Sequence, residues 1–222
     1  MLALDLINDS VPALKPADNV GQALDWMQDN RVTQLAVSNN EEYVGMLTED
    51  YLLNFDENTL IEDIEPQYPN VMLYEHQHLY ESLSVITDNN LSIVPVVDEN
   101  KKYLGIVLAN DIYKTFAEML GFQQPGAIIE IAISNRDYSL AEISRLIESD
   151  RTKILSSFFQ GTLSYSSEET SKLILKLNRQ DIAGVIATLE RFGYVVEAAY
   201  SDIPVTSLEQ ERYDGLMKYL SI

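Results

Sequence analysis

The segment YVGMLTEDYLL, residues 43–53, recurs sixty positions later as YLGIVLANDIY, residues 103–113. The match extends toward the N-terminus, because residues 11–39 align without a gap on residues 70–98. The loop that follows is one residue longer in the second copy, and beyond it the two copies align again, with Gly45 matched to Gly105. Self-similarity at a fixed period is the signature of a repeat architecture. The sequence therefore predicts two copies of one structural unit in the first half of the chain.

Each copy reads as β-α-β-β-α, from a short extended piece to a second helix. The first helix of each copy has apolar residues at helical spacing and closes on Asn30 or on Asn89 and Asn90, because asparagine tolerates the left-handed conformation of a C-cap. Two strands and the second helix follow, at 32–38, 43–47 and 49–55 in one copy and at 91–97, 103–108 and 110–120 in the other. A single unit of about 55 residues buries too little surface to be stable alone. We expect the two copies to stack on each other.

The C-terminal third has a different pattern of elements. Ser139 and Glu142 form a Ser-x-x-Glu capping box at the start of an amphipathic helix. The other predicted elements are strands at 127–134, 153–161, 171–178 and 194–200 and a helix at 181–192 capped by Gly193. The order β-α-β-β-α-β predicts a four-stranded antiparallel sheet backed by two helices. Ser207 and the apolar residues after it predict a further, terminal helix.

Charge is distributed unevenly along the chain, whose formal net charge is −20. Residues 1–124 contain 21 acidic and 5 basic side chains, whereas residues 125–222 contain 14 and 10. Such an acidic surface repels phosphate backbones and anionic lipids, which argues against nucleic-acid and membrane partners. No apolar run reaches the length of a membrane span, and there is no cysteine. We expect a soluble, cytoplasmic protein without disulfides or thiolate metal sites.

The charge shift coincides with a glycine- and proline-containing stretch at 121–126, which marks a domain boundary. The predicted segments are a first repeat (1–56), a second repeat (57–121), a linker (122–125), a second domain (126–203) and a C-terminal segment with the terminal helix (204–222).

The repeated half resembles tandem cystathionine-β-synthase (CBS) domains. The resemblance rests on the strand LSIVPVVD (91–98) and on the turns at Gly45 and Gly105, each in the same place within its copy. The second domain resembles an ACT domain, a ferredoxin-like regulatory module that often senses amino acids. The whole architecture is similar to that of the acetoin-utilisation protein B family. These resemblances imply an α+β protein in which a CBS pair precedes an ACT-like domain.

The resemblance to nucleotide-binding CBS pairs implies a Gly-x-x-Thr/Ser-x-x-Asp turn, whose hydroxyl contacts phosphate and whose carboxylate accepts hydrogen bonds from ribose hydroxyls. The first copy keeps the hydroxyl as Thr48 but has Tyr51 at the carboxylate position, and Asp50 lies one place early. The second copy keeps the carboxylate as Asp111 and has Leu108 at the hydroxyl position. Each copy thus contains half of the motif. Capping a helix is an alternative role for Thr48 and Asp111, and the favoured one for Asp50.

Gln34, Ile93 and Pro95 complete the predicted ligand contacts of the repeats. No cofactor is required by the sequence. Five basic residues cannot neutralise a triphosphate against 21 carboxylates, so we expect a neutral, cationic or magnesium-bound effector. S-adenosylmethionine, AMP or Mg-ATP are the candidate adenosyl ligands, and free ATP is disfavoured.

Other residues admit a functional and a structural interpretation. In the second domain Asn135, Arg136, Asp137, Phe158 and Phe159 are predicted to contact an effector or a dimer partner, although loop arginines are commonly just solvated and the two rings could fill a core and an interface. The pair His76 and His78 could chelate a metal, but no third ligand has suitable spacing, and a solvated turn is the favoured interpretation.

The sequence contains no nucleophile with a base and no glycine-rich phosphate loop. It therefore predicts a non-catalytic regulatory homodimer that binds a small effector between its repeats and passes the signal to the ACT-like domain or to a protein partner. The alternative is a scaffold that has lost ligand binding. A metal-dependent hydrolase is a more distant third.

Overall fold

The computed structural model describes residues 1–133, 139–161 and 171–203, together with Met217. The chain divides into two compact units, Met1–Phe116 and Ala117–Ile222. The repeated half contains α1 (Val20–Asn30), β1 (Gln34–Asn39), β2 (Glu42–Thr48), α2 (Glu49–Leu52), β3 (Leu73–Tyr74), α3 (Leu79–Asn89), β4 (Ile93–Val97), β5 (Tyr103–Leu108) and α4 (Ala109–Met119).

The two copies have the same strand register, which confirms the predicted repeat. Strands β1 and β2 pair antiparallel, with Val37 opposite Gly45 and an irregularity directly after Val37. Strands β4 and β5 pair antiparallel in the same way, with Val96 opposite Gly105 and an irregularity directly after Val96. In both copies an extended piece also pairs in parallel with the first of these strands.

Two backbone hydrogen bonds relate the copies by a local pseudo-two-fold axis. The Tyr43 amide donates to the Lys101 carbonyl over 3.1 Å, and the Tyr103 amide donates to the Glu41 carbonyl over 2.7 Å. Tyr43 and Tyr103 occupy equivalent positions, as do Glu41 and Lys101, so each bond is the counterpart of the other. One hydrophobic core includes buried residues of both copies, as expected for two units that are unstable alone.

The helix ends differ from the sequence prediction at two places. Asn90 has the left-handed conformation (φ 51°) after α3, but after α1 the left-handed residue is Arg31 (φ 55°). Asn30 instead lies in the last turn of α1, where its side-chain amide donates to the Trp26 carbonyl. Helix α2 ends at Leu52, three residues earlier than predicted. The Asn54 side chain donates to two carbonyls of this helix and so competes with its continuation.

The second unit contains β6 (Ile128–Ile133), α5 (Leu140–Ser149), β7 (Ile154–Gln160), β8 (Ser171–Leu177), α6 (Ala183–Arg191) and β9 (Val195–Tyr200). The strands form one antiparallel sheet in the order β7-β8-β6-β9, which confirms the predicted four-stranded sheet and is the order of a ferredoxin-like layout. Alternate residues of β6 and β8 are buried in a core with α5 and α6. The intervening residues lie on the opposite face of the sheet, away from α5 and α6.

The terminal helix predicted within 204–222 lies outside the described residues, apart from Met217. No helix in the described part of the chain is both long and apolar enough to span a membrane.

Candidate functional site

The first copy of the polar motif, which we call the first site, surrounds the start of α2. Thr48 is the N-cap of this helix, and its hydroxyl accepts a hydrogen bond from the Tyr51 amide over 3.3 Å. The same hydroxyl donates to the Gln67 side-chain carbonyl over 3.1 Å. The backbone of Gln67 pairs with Met46 through reciprocal bonds of 2.7 and 2.8 Å, beside Gly45. The first site therefore presents a hydroxyl and an amide, without a carboxylate at position 51.

The second copy, which we call the second site, surrounds the start of α4. The Asp111 carboxylate is half-buried and accepts a hydrogen bond from the Asn8 side-chain amide over 3.1 Å. The Asn8 backbone amide donates to the Ile106 carbonyl over 2.8 Å, next to Gly105. A Cβ atom added at Gly105 would lie 3.8 Å from Asp9 Oδ1, so a second carboxylate is close by. The second site thus combines carboxylates with an amide, and it has Leu108 in place of a hydroxyl.

Asn8 and Gln67 are the residues that sequence analysis missed. Each follows an irregular segment, and each bonds to the one polar group that its copy of the motif retains. Extending the gapless repeat alignment three residues toward the N-terminus pairs Asn8 with Gln67, so the signal was present in the sequence.

Four other residues were predicted to contact the ligand, namely Asp50, Gln34, Ile93 and Pro95. Asp50 is exposed in the first turn of α2. Gln34 is 8% exposed, and its side-chain carbonyl accepts hydrogen bonds from the backbone amide of Ser92 (2.9 Å) and from its hydroxyl (2.6 Å). Gln34 therefore links the two copies. Ile93, the counterpart of Gln34, is fully buried, and Pro95 is also buried in β4.

A buried tyrosine, Tyr43, and a half-buried one, Tyr103, lie at equivalent positions near the pseudo-two-fold axis. The Tyr43 hydroxyl donates to the carbonyls of Tyr68 and Val71, and burial raises the pKa of this phenol well above its ordinary value. Burial, followed by the nearby Asp9 carboxylate, raises the pKa of Tyr103 in the same direction. Both phenols are therefore neutral at physiological pH. The Asp9 carboxylate therefore lies near Tyr103 as well as near Gly105.

The two histidines lie at the start of α3. The His78 ring nitrogen Nδ1 accepts from the Tyr80 amide over 3.3 Å and caps the helix, and the His76 ring stacks on Tyr74 with 5.9 Å between centroids. No group of three or more potential metal ligands occurs among the residues that the structure describes.

The predicted contacts of the second unit fall into two sets. Asn135, Arg136 and Asp137 lie outside the described residues. Phe158 is half-buried and pairs with Ile174 in the sheet, whereas Phe159 is 49% exposed.

The model of the CBS domain matches residues 3–58 and 61–118, which together make up more than half of the chain. The chain belongs to the CBS-domain family. The two matched ranges correspond to the two copies of the repeat, so the first and second sites are the polar turns of a CBS pair.

Several solved structures are similar to this chain. A CBS domain pair/ACT domain protein from Thermotoga maritima is 19% identical, with a TM-score of 0.50, and the match covers 54% of this chain and 99% of that one. The CBS domains of a transcriptional regulator from Streptococcus pneumoniae are 20% identical, with a TM-score of 0.47 and coverages of 51% and 98%. The protein CBSX2 in complex with AMP is 18% identical, with a TM-score of 0.46 and coverages of 53% and 96%. The first match supports the fold over about half of this chain and leaves the other half uncompared.

Proposed function

We propose that the protein is a non-catalytic regulator whose CBS pair binds one small adenosyl-type effector at the second site. CBS pairs generally sense adenosine ligands in regulatory proteins. The observation that carries the proposal for this chain is the half-buried Asp111 carboxylate at the start of α4, held by Asn8. We further propose that the protein is a homodimer that passes effector binding to its ACT-like second unit or to a partner.

The chemistry of the second site supports a nucleoside rather than a free polyphosphate. A carboxylate only accepts hydrogen bonds, and with two oxygens it can accept from both hydroxyls of a ribose. Asp9 adds a further negative charge close to Gly105, and Leu108 offers no hydrogen bond to a phosphate. Neutral or cationic ligands are therefore favoured, with S-adenosylmethionine and adenosine ahead of AMP, and with ATP bound only as its magnesium complex.

The first site lacks a diol acceptor, because a tyrosine occupies the position equivalent to Asp111. Its Thr48 hydroxyl and Gln67 amide could bind a neutral polar group. We therefore expect one adenosyl ligand per CBS pair, and we expect effector occupancy to change how the two copies pack. A coupling of about 1–3 kcal/mol is typical of such linkage.

A thermal-melting screen of the full chain tests the proposal. The probes are adenosine, AMP, S-adenosylmethionine, and ATP with and without magnesium. A ligand at a hundred times its Kd stabilises the folded state by about 2.7 kcal/mol. At roughly 2–4 °C per kcal/mol for a chain of this size, the Tm should rise by about 5–10 °C.

Two variants give the matched comparison. Asp111→Ala removes a charge-assisted acceptor worth about 1.5–3 kcal/mol and should abolish about half of the rise in Tm or more. Asp88→Ala removes the same charge from an exposed position in α3 and should leave the rise in Tm unchanged. The proposal fails if no probe raises the Tm, or if Asp111→Ala responds like Asp88→Ala. Tight binding of metal-free ATP would contradict the charge argument.

A scaffold without a ligand is the second candidate. It is favoured by the observation that Thr48 and Asp111 are each already hydrogen-bonded within the chain, to Gln67 and Asn8. A scaffold predicts that Asn8→Ala lowers the free energy of unfolding, that no probe changes the Tm, and that the dimer measured by light scattering is independent of every probe.

A further inference from the structure

The second unit has an open cleft on the face of its sheet opposite α5 and α6. The cleft has a volume of about 690 Å³ and lies wholly within this unit. Its floor is a row of three paired residues on adjacent strands, Lys176 on β8, Ile128 on β6 and Tyr200 on β9. The segment 122–126 and the turn at 199–202 form its walls. Volumes of this size are typical of small-molecule sites.

The backbone around the cleft is firmly held. A Cβ atom at Gly126 would lie 1.8 Å from the Leu177 carbonyl, so only glycine allows this segment to pack so closely on the sheet. On the opposite wall the Gln180 side chain donates to the Asp202 carboxylate over 2.9 Å, and it accepts from the Asp202 amide and the Ser201 hydroxyl. The walls therefore keep their shape without a ligand.

Lys176 is the cationic group of the cleft. Its ammonium donates to the Gly126 carbonyl over 2.9 Å, which uses one of three N–H donors. Among the described residues no carboxylate forms an ion pair with it. Lys172, four residues earlier on the same strand and face, differs in this respect, because it forms ion pairs with Glu197 (2.8 Å) and Glu130 (3.3 Å). Of these two lysines on one strand face, one is thus neutralised by carboxylates and the other has no carboxylate partner among the described residues.

The rest of the cleft combines exposed aromatic and aliphatic side chains with uncharged polar ones, among them Gln123, Gln124 and Ser201, and with the Asp202 carboxylate. Phe122 and Tyr200 are 58% and 57% exposed, and Ile128 is half-buried between the two walls. Exposed aromatic side chains gathered in a concave site are typical of ligand contacts. The Asp202 carboxylate at the rim repels dianions.

We propose that this cleft binds a small organic monocarboxylate with an apolar or aromatic group. The carboxylate pairs with the free donors of Lys176, and the apolar group packs on Ile128 between the rings of Phe122 and Tyr200. The inference is independent of the adenosyl site proposed for the CBS pair, and it uses none of the residues that the sequence predicted as contacts of the second domain.

Calorimetric titration of the full chain with 3-phenylpropionate, L-phenylalanine, 2-phenylethylamine and inorganic phosphate tests the proposal. We expect the two carboxylates to bind, whereas the amine lacks the carboxylate and phosphate carries too much charge and no apolar group. Lys176→Met should weaken binding of 3-phenylpropionate tenfold or more, and Lys172→Met, which makes the same change on the same strand face, should leave it within about twofold. The proposal is overturned if neither carboxylate binds at millimolar concentration, if the amine or phosphate binds as well, or if both lysine variants lose binding equally.

A second measurement does not depend on the folding of a variant. Lysine acetylation of the wild-type chain is followed by mass spectrometry with and without saturating 3-phenylpropionate. The proposal predicts slower acetylation of Lys176 and an unchanged rate at Lys172. Equal rates at Lys176 in both conditions would overturn it.

Discussion

The two glycines that end up at equivalent positions in the CBS pair should differ in their tolerance of a methyl group. Gly45 and Gly105 have φ angles of +159° and +153°, which side-chain residues rarely adopt, so alanine is strained at both. At Gly45 the new Cβ atom would lie 2.6 Å from the Gln67 carbonyl oxygen and 2.8 Å from Pro66 Cβ. At Gly105 it would lie 2.6 Å from Cγ2 of Ile7, which is a side-chain terminus.

The cost of each alanine depends on whether the neighbouring atoms can move away from the new methyl group. The strain is common to both variants, at roughly 1–3 kcal/mol. The Gln67 carbonyl accepts from the Met46 amide, so Gly45→Ala must displace a paired backbone and adds about 1–3 kcal/mol. Gly105→Ala needs a change in the Ile7 rotamer, at about 0.5–1.5 kcal/mol. We expect Gly45→Ala to cost about 1–2 kcal/mol more than Gly105→Ala.

Urea unfolding followed by tryptophan fluorescence measures this difference, because the one tryptophan, Trp26, lies in the first unit. A double-mutant cycle identifies the cause. Ile7→Ala removes the clashing atom and should recover part of the loss in Gly105→Ala, whereas Pro66→Ala retains a Cβ atom and should recover nothing in Gly45→Ala. Equal losses for the two glycines, or equal recovery in the two cycles, would refute the reasoning.

Three further changes have defined outcomes. Tyr43→Phe removes the phenol donor from the Val71 carbonyl, whereas the Tyr68 carbonyl still accepts from the Val71 amide, and it should lower the free energy of unfolding by about 1–3 kcal/mol at neutral pH. Because burial raises the pKa of this phenol, its contribution is complete below the ordinary value of 10 and declines as pH rises above it. The variant should therefore lose stability less steeply than the wild type in urea titrations at alkaline pH. Gln34→Leu leaves the half-buried Ser92 amide unpaired and should cost about 1–3 kcal/mol in urea. Ser92→Ala keeps that bond and removes the acceptor of the Thr33 amide, which is exposed and can bond to water instead, so it should cost less; the reverse order would contradict the assigned role. Gly126→Ala forces a Cβ atom against the Leu177 carbonyl and should lower the free energy of unfolding by more than about 3 kcal/mol. Hydrogen exchange in β6 and β8 should become faster, and unchanged exchange there would contradict the packing described.

The repeat was predictable because the same apolar pattern occurs twice in a fixed order. Stacking of two marginal units follows from surface-to-volume scaling, and the shared core confirms it. The sheet of the second unit was predictable from the alternation in β8, where every second residue is buried.

Details set by single side chains were harder to predict. The left-handed cap after α1 is Arg31 although asparagine precedes it, and Asn54 ends α2 early through local hydrogen bonds. Asn8 and Gln67 contact the polar motif from positions 103 and 19 residues away along the chain, so the extended repeat alignment points to them but the residues of the motif itself do not. The cleft around Lys176 depends on which of two lysines obtains a carboxylate partner, and that is decided by the pairing of strands.

Hydrogen exchange of the full chain, with and without the adenosyl probe that raises the Tm most, tests the central claim most directly. Binding at the carboxylate-bearing turn predicts slower exchange in residues 103–113 and in the segment 6–10 that contains Asn8, with little change in residues 43–53. Equal slowing in both copies, or no slowing in residues 103–113, would contradict the account.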